Sequence, residues 1–477
     1  LRQLRPSKLL TICASAAISY LVMLLSFYPG VLYGPDLEEQ FAQASGQIPF
    51  NDWHPPLMAL VWKWGMWLTS KPSCLFIFEI TLFVGSLLVF ALSGYRRGKL
   101  DLLWACLITL LPLYAPLLIQ SGRLWKDQFL TFCLLAAIAS LWVGGKKRGQ
   151  CWSLALFFVF AAAAILLRAN GFFAVVFLLP LAGTKIRALL PHLQSGQGKT
   201  KRLFRSRTVI AIGCACLALI VATAGLNATV KIAAQPTKTH QIDQLFLDDL
   251  INTSSPTEVM DLPLSGDFKK FLSSAITRCS AEGHKQNLMW YSCADGKRIT
   301  IKDGTTVFSS IHRFHPEFMK AWFAVIPQHP FKYVGYRMEV FSHFIFDTWP
   351  ANLGKIKEHF SPRFSAAFTS TSSYTDSVSS RWAPFLFCPA TYLLINLATI
   401  CFLQRRKGQL SEEHHSFAFW PPAASLFWLV SQIPIVPVSD YRYSYFSIAT
   451  TALAVAVLMG GLSLKTKTPG GHASLAR

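Results

Sequence analysis

The sequence predicts an all-α polytopic membrane protein with about ten transmembrane helices and a periplasmic mixed domain between spans 7 and 8. Three observations predict this class. Of the 477 residues, 52% are hydrophobic and only 14% are charged. The hydrophobic residues form long blocks, and a helix needs about 20 such residues to cross a bilayer. The Lys and Arg residues cluster between alternate blocks, as expected for loops that set membrane orientation.

The candidate spans are predominantly apolar blocks at roughly 9–28, 73–94, 102–120, 128–144, 151–167, 171–184, 208–226, 383–403, 416–437 and 444–463. The first block runs into Tyr28-Pro29-Gly30 without a small-x-small cleavage site, so we expect it to remain as an anchor. The apolar stretch Leu57–Thr69 is shorter, contains Lys63 and is rich in Trp. These features predict a helix that lies at the membrane interface.

The net charge of +21 comes from these loop clusters, so it indicates membrane orientation and gives no support for a nucleic-acid partner. The predicted inside clusters are Arg2, Arg5 and Lys8; Arg96, Arg97 and Lys99; Lys146, Lys147 and Arg148; Lys185 through Arg207; Arg405, Arg406 and Lys407; and Lys465, Lys467 and Arg477. Counting Leu57–Thr69 as a span would turn most clusters outward. The predicted location is therefore the bacterial inner membrane, with both termini cytoplasmic and the active face periplasmic.

The spans divide the chain into three parts. These are an N-terminal transmembrane core (1–226) with a first periplasmic loop (29–72), a periplasmic domain (227–382), and C-terminal transmembrane helices (383–477). Eleven cysteines are present, and only Cys279 and Cys293 share a polar region. The periplasm permits disulfides, so we predict a bond between these two.

Polar residues from five separate segments collect at the outer ends of the spans. They are Asp36, Glu38, Glu39 and Gln40; Asn51, Asp52 and His54; Arg123, Lys126 and Asp127; Arg168 and Asn170; and Asp440, Arg442 and Tyr443. Placing charged groups near the hydrocarbon of a bilayer costs free energy. Such a collection is therefore expected only where water reaches the side chains or where they have a function. The collection contains both carboxylates and cations. Transfer of a group from a lipid phosphate to a hydroxyl requires both, because a carboxylate takes the proton of the hydroxyl and cations neutralise the phosphate that leaves.

The motifs of the first outer loop carry a family resemblance. Tyr28-Pro29-Gly30, Asp36-x-x-x-Gln40, Gly46 and Asp52-Trp53-His54-Pro55-Pro56 resemble that loop in C-type glycosyltransferases, the superfamily of protein O-mannosyltransferases and aminoarabinose transferases. Further motifs resemble a bacterial branch of it, namely Lys126-Asp127, Arg168-Ala169-Asn170-Gly171, His329-Pro330 and Arg442-Tyr443. The resemblance touches most of the membrane part and leaves the middle of 227–382 uncovered.

The resemblance implies a glycosyltransferase that uses a polyprenyl-phosphate-linked sugar, with inversion, on the periplasmic face. The acceptor would be a glycan, a lipid or a protein. Asp36 would be the general base or a metal ligand, and Asp127 a second carboxylate. The implied donor and phosphate ligands are His54, Lys126, Arg168, Asn170, Arg442, Tyr443 and Gln40. The cofactor implied is at most a divalent metal ion, and the adjacent acid pair of several relatives is replaced here by Asp36-Leu37-Glu38.

Other interpretations stay open at the level of sequence. Asp36 would also suit the cap of an interfacial helix, and Arg168 and Arg442 would suit snorkelling from helix ends. An O-antigen polymerase or ligase would depend on Arg and His of the large loop, with Asp36 dispensable. A transporter or flippase would carry charges at mid-helix and a two-fold repeat, whereas Glu79 is the main such charge here.

Overall fold

The computed structural model describes residues 6–32, 34–144, 147–189, 201–281, 293–294, 298–300, 306–349, 362–406, 408–435 and 440–466. Several members of the predicted basic clusters lie outside the described residues, namely Arg2, Arg5, Lys146, Lys199, Lys407, Lys467 and Arg477.

The N-terminal half is helical. Its helices are α1 (Pro6–Phe27), α2 (Pro35–Ser45), α3 (Leu57–Thr69), α4 (Cys74–Arg96), α5 (Leu102–Leu110), α6 (Ala115–Ser121), α7 (Lys126–Trp142), α8 (Lys147–Leu167), α9 (Gly171–Leu189) and α10 (Lys201–Ala234). The bounds of α3 are those of the predicted interfacial helix. It begins after Pro56 and ends where Ser70 adopts a left-handed conformation with φ of 57°.

The C-terminal half adds nine further α-helices and one β-hairpin among the described residues. They are α11 (Ile242–Thr253), α12 (Pro256–Asp261), α13 (Gly266–Ala281), β1 (Arg298–Thr300), β2 (Thr306–Phe308), α14 (Ser309–Val325), α15 (Pro330–Phe346), α16 (Ser365–Ser377), α17 (Pro389–Arg405), α18 (Glu412–Ile435) and α19 (Tyr445–Thr466). The two strands are antiparallel, and Arg298 pairs with Phe308.

Six helices of the described part are long and apolar enough to cross a membrane, namely α1, α4, α8, α9, α10 and α19. The segments Leu102–Leu113 and Ala115–Ser121 form a seventh candidate that is bent by 47°. The bend follows Pro112, which lacks the N–H group that a continuous helix needs. Helices α7 and α17 have only 17 residues each, and α18 contains three prolines. The fold is thus that of a helical, multi-pass membrane protein, and the count of ten spans stays a prediction.

The predicted topology has a direct test. Alkaline phosphatase and green fluorescent protein fused after Arg97, Lys147 or Arg406 should report the cytoplasm, and fusions after Asp36 or Lys126 should report the periplasm. The predicted periplasmic position Ser439 lies outside the described residues. Phosphatase activity from the fusion after Lys147 would contradict the ten-span arrangement.

Helix α10 leads the chain to the loop between α2 and α3. Its 34 residues span about 51 Å, which exceeds the hydrocarbon thickness of a bilayer of about 30 Å. Beyond its end, the backbone N–H and the hydroxyl of Thr239 donate to Asp52 Oδ1 over 2.6 and 2.7 Å. Thr237 forms a parallel bridge with Asn51. Asp52 therefore anchors the loop that presents His54.

The buried apolar residues form two cores. The larger one lies among the membrane helices, with α7 buried around its circumference from Asp127 to Trp142. The smaller one joins α11, α13 and α14 to Trp53 of the first loop. Helices α15 and α16 contribute Phe344 and Phe368 to the larger core. The predicted segment 227–382 is thus divided between a domain centred on α11 to α14 and helices that pack on the membrane part.

The domain centred on α11 to α14 contains a disulfide between Cys279 and Cys293, 14 positions apart. On the chain-entropy model a loop of this length stabilises a fold by about 3 kcal/mol. We expect Cys279→Ser to lower the free energy of unfolding of this domain by about that amount, measured by proteolysis in increasing urea. Cys133→Ser serves as a control, because Cys133 is buried and unbonded. Maleimide labelling of both cysteines in unreduced, denatured protein would contradict the bond.

Candidate active site

Asp36 lies in the first turn of α2, and its side chain does not cap that helix. The cap position is Gly34, which has φ of 107° and is followed by Pro35, and no side chain caps the helix. The carboxylate instead points across the loop, with Oδ1 3.5 Å from His54 Nε2. Its Oδ2 lies 3.4 Å from a terminal nitrogen of Arg442. The capping role considered for Asp36 is therefore not what the structure shows.

His54 connects Asp36 to the start of α7. Lys126 Nζ lies 2.8 Å from His54 Nδ1, and a protonated amine can only donate. Nδ1 of His54 is then the acceptor, which places the imidazole proton on Nε2, the nitrogen that faces Asp36. Lys126, His54 and Asp36 thus form a line of polar contacts that joins two segments far apart in the chain.

Asp127 is the partner of two arginines. It forms a close ion pair with Arg168, and its other oxygen lies 3.9 Å from Arg442 Nε. Only 2% of the Asp127 side chain is exposed, against 35% for Asp36. Because Asp127 is enclosed by its partners, Asp36 is the more accessible of the two predicted carboxylates.

Arg442 lies at the centre of the cluster. Its Nε is 3.2 Å from Asp440, and its guanidinium carbon lies 4.9 Å from the Trp125 ring centre. The guanidinium also donates to the hydroxyl of Tyr443 over 3.3 Å. These contacts restrict the planar guanidinium to one orientation, as required for paired hydrogen bonds to an oxyanion.

Arg168 is fixed in a similar way. Its guanidinium carbon lies 4.3 Å from the centre of the Tyr443 ring. One of its terminal nitrogens forms the ion pair with Asp127. Five segments of the chain therefore meet in one cluster, through Asp36, His54, the Lys126-Asp127 pair, Arg168 and the Arg442-Tyr443 pair.

Gln40 contacts the backbone of Asp36, and Asn170 follows Arg168 by two residues. The amide nitrogen of Gln40 donates to the backbone oxygen of Asp36 over 3.3 Å. Gln40 Oε1 and Asn170 Oδ1 are buried without a hydrogen-bond partner among the described residues. Buried oxygens of this kind are available to accept hydrogen bonds from a ligand.

The charges around Asp36 set its protonation state. Burial raises the pKa of the Asp36 carboxyl, but His54, Arg442 and Lys126 together lower it well below the usual value for an aspartate. Burial and Lys126 lower the pKa of His54, and Asp36 restores only part of this. At neutral pH we therefore expect an ionised Asp36 beside a neutral His54, which agrees with the donation from Lys126.

These surroundings do not fit a divalent metal ion. Asp36 is flanked by His54 and by the cations Lys126 and Arg442. In the described ranges no group of three His, Cys, Asp or Glu residues is placed to hold an ion. A divalent cation prefers several oxygen ligands and would be repelled by the nearby positive charges.

Two contributors were not among the catalytic and donor-binding residues predicted from the sequence, although Asp440 was one of the polar residues noted at the outer ends of the spans and the sequence contains a signal for each. Trp125 precedes Lys126 and packs on Arg442, and an aromatic next to clustered cations is one such signal. Asp440 accepts from the backbone N–H of Arg442 over 3.0 Å, capping the short 3₁₀ helix Tyr441–Ser444. An Asp two residues before an Arg at a helix start is the other signal.

No family model and no curated protein matches the chain. Among solved structures, the fold is similar to the oligosaccharyltransferase of Archaeoglobus fulgidus in its apo form, with 12% identity, a TM-score of 0.38 and coverage of 94% of this chain and 50% of that one. The same archaeon's AglB, in complex with an inhibitory peptide and a dolichol-phosphate, has 13% identity, a TM-score of 0.39 and coverage of 96% and 51%.

A third similar structure is ArnT from Cupriavidus metallidurans bound to undecaprenyl phosphate, with 12% identity, a TM-score of 0.33 and coverage of 94% and 77%. The chain spans about half the length of the two archaeal structures.

Proposed function

We propose that this chain is an inner-membrane glycosyltransferase that transfers a sugar from a polyprenyl-phosphate-linked donor to an acceptor on the periplasmic face. The observation that carries the proposal is the cluster around Asp36. A partly exposed carboxylate stands beside three largely buried cations, Lys126, Arg168 and Arg442. Aromatic rings and acids hold the two arginines, and His54 contacts Lys126. This combination of a proton acceptor and oxyanion partners suits the replacement of a phosphate by a hydroxyl.

In the proposed reaction the acceptor oxygen attacks the anomeric carbon of the donor sugar. A bond forms between them while the bond from that carbon to the phosphate oxygen breaks. The acceptor proton passes to Asp36, and the polyprenyl phosphate leaves with the bond electrons, stabilised by Arg442 and Lys126. Attack opposite the leaving phosphate inverts the configuration at the anomeric carbon.

Arg442 would link donor binding to the basicity of Asp36. A carboxylate with a low pKa is a weak base, and part of that lowering comes from Arg442. When a donor phosphate draws the guanidinium to itself, Asp36 loses some of this stabilisation and its affinity for a proton rises. Asp127 would act as a positioning residue, because its carboxylate is enclosed by Arg168 and Arg442.

A cavity among the membrane helices offers room for the lipid part of the donor. It has a volume of about 550 Å³ and lies between α5, α17 and α19, with Leu107, Ile395 and Val455 among its lining residues. The hydroxyls of Tyr114 and Tyr392, which also line it, are 2.8 Å apart. An apolar cavity between helices suits an isoprenoid chain, since its walls match the hydrocarbon.

Filling this cavity should weaken the use of the lipid donor. We expect Ala452→Trp to raise the KM for a long-chain polyprenyl donor by about tenfold, because the indole would occupy space along the cavity wall. Leu394→Trp is the matched control, since Leu394 is 64% exposed on α17 and does not line the cavity. Equal KM values for the two variants and the parent in proteoliposomes would place the lipid elsewhere.

The proposed function itself is tested by mass spectrometry of envelope glycans and glycolipids from a deletion strain beside its parent. We expect loss of one sugar substituent in the deletion strain and its return when the gene is restored. Identical glycan profiles, together with absence of sugar transfer by the purified protein, would contradict the proposal. A polymerase or ligase would instead tolerate Asp36→Asn and change glycan length.

A further inference from the structure

A second cavity lies in the domain centred on α11 to α14, outside the membrane helices. Its volume is about 520 Å³, and its lining residues include Asp267, Lys270, Phe271, Arg278, Arg313 and Phe314. The rings of Phe271 and Phe314 pack on each other, with centroids 5.4 Å apart. The cavity thus combines charged groups with an aromatic surface.

The charged groups of the cavity are predominantly positive. Asp267 forms a close ion pair with Arg313, and among the described lining residues no second acid compensates the charges of Lys270 and Arg278. One terminal nitrogen of Arg278 donates to the backbone oxygen of Ala294 over 2.7 Å, and a guanidinium has further donors. The lining therefore favours an anionic ligand.

The disulfide holds one wall of this cavity in place. Arg278 precedes Cys279 and Ala294 follows Cys293, so the bond between the cysteines fixes two lining residues relative to each other. A wall fixed before binding loses less conformational entropy when a ligand binds.

One face of the hairpin contacts chain neighbours of the candidate active-site residues, and the other face lines the cavity. Successive side chains of a strand point to opposite faces. Arg298 of β1 lies 3.8 Å from Glu39 of α2, and its strand partner Phe308 packs on Trp53, the residue before His54. The next residue of β1, Ile299, lines the cavity.

We propose that this cavity is a subsite for an anionic group of the acceptor, a saccharide that carries a phosphate or a carboxylate. This rests on the proposed glycosyltransferase function. Lys270 and Arg278 would bind the anion, and the phenylalanine rings would pack on the apolar face of a sugar. The acceptor would extend past the hairpin so that its hydroxyl reaches Asp36.

The test is binding of glucose 6-phosphate, glucuronate and glucose to the purified full-length protein in detergent, by calorimetry. We expect at least one of the two anions to bind at least tenfold more tightly than glucose, and the preferred anion identifies the acceptor group. Lys270→Gln should weaken that binding at least tenfold, whereas Lys320→Gln, an exposed residue of α14 outside the lining, should leave it unchanged.

The active-site cations provide a second control, because they would also attract an anion. If the Arg442→Ala variant still binds the anion and the Lys270→Gln variant does not, the anion binds in the cavity. Binding that is lost in Arg442→Ala and survives Lys270→Gln would overturn the proposal, as would equal affinity for all three sugars. Since calorimetry does not require sugar transfer, a protein that binds the anion but leaves envelope glycans unchanged would contradict the proposed function alone.

Discussion

Asp36→Asn is expected to abolish sugar transfer while the protein remains folded and inserted. The amide keeps the size of the side chain but cannot take the acceptor proton, and general-base assistance contributes typically about 10²- to 10⁴-fold. Little stability should be lost, because Asp36 does not cap α2. The measurement is transfer in a deletion strain that expresses the variant, normalised to its level in membranes.

Glu38→Gln is the matched control for this change. Glu38 lies in the same first turn of α2 and is exposed. Both substitutions remove one negative charge near the positive end of the helix dipole, which is worth about 0.3–1 kcal/mol. Near-normal transfer by Asp36→Asn at normal protein level would assign Asp36 a structural role and show that the catalytic centre lies elsewhere.

Arg442→Ala is expected to impair both donor binding and stability. The guanidinium lies among Asp36, Asp127 and Asp440, and removing one partner of a buried ion pair typically costs about 3–5 kcal/mol. Loss of charge-assisted hydrogen bonds worth about 1.5–3 kcal/mol each should raise the KM for the donor by about tenfold or more. Donor binding and thermal unfolding of the purified variant would measure the two effects.

Two further variants separate these effects. Arg442→Lys keeps the positive charge and should restore much of the stability, but an ammonium lacks the planar fork that binds two oxygens at once. We therefore expect its donor KM to stay raised. Arg381→Ala, at an exposed arginine, controls for loss of a positive charge. An unchanged donor KM in Arg442→Ala would remove Arg442 from the phosphate site.

Much of the helical framework could be predicted because its signals are local. Hydropathy located the blocks that form α1, α4 and α19, and flanking prolines with clustered tryptophans identified α3. The weaker predictions concern short or interrupted helices. The block at 102–120 is broken at Leu111–Leu113, and α7 and α17 are too short to be counted as spans by length alone.

The sequence by itself determined which polar residues stand at the helix ends, because the end of an apolar block is visible in the chain. Only the tertiary structure decided which of them meet. It paired Asp127 with Arg168, left Asp36 partly exposed beside Arg442, and brought the hairpin against Trp53. These contacts join residues far apart in sequence, so they depend on how whole helices pack, and helix packing has no local signal from which it could be predicted.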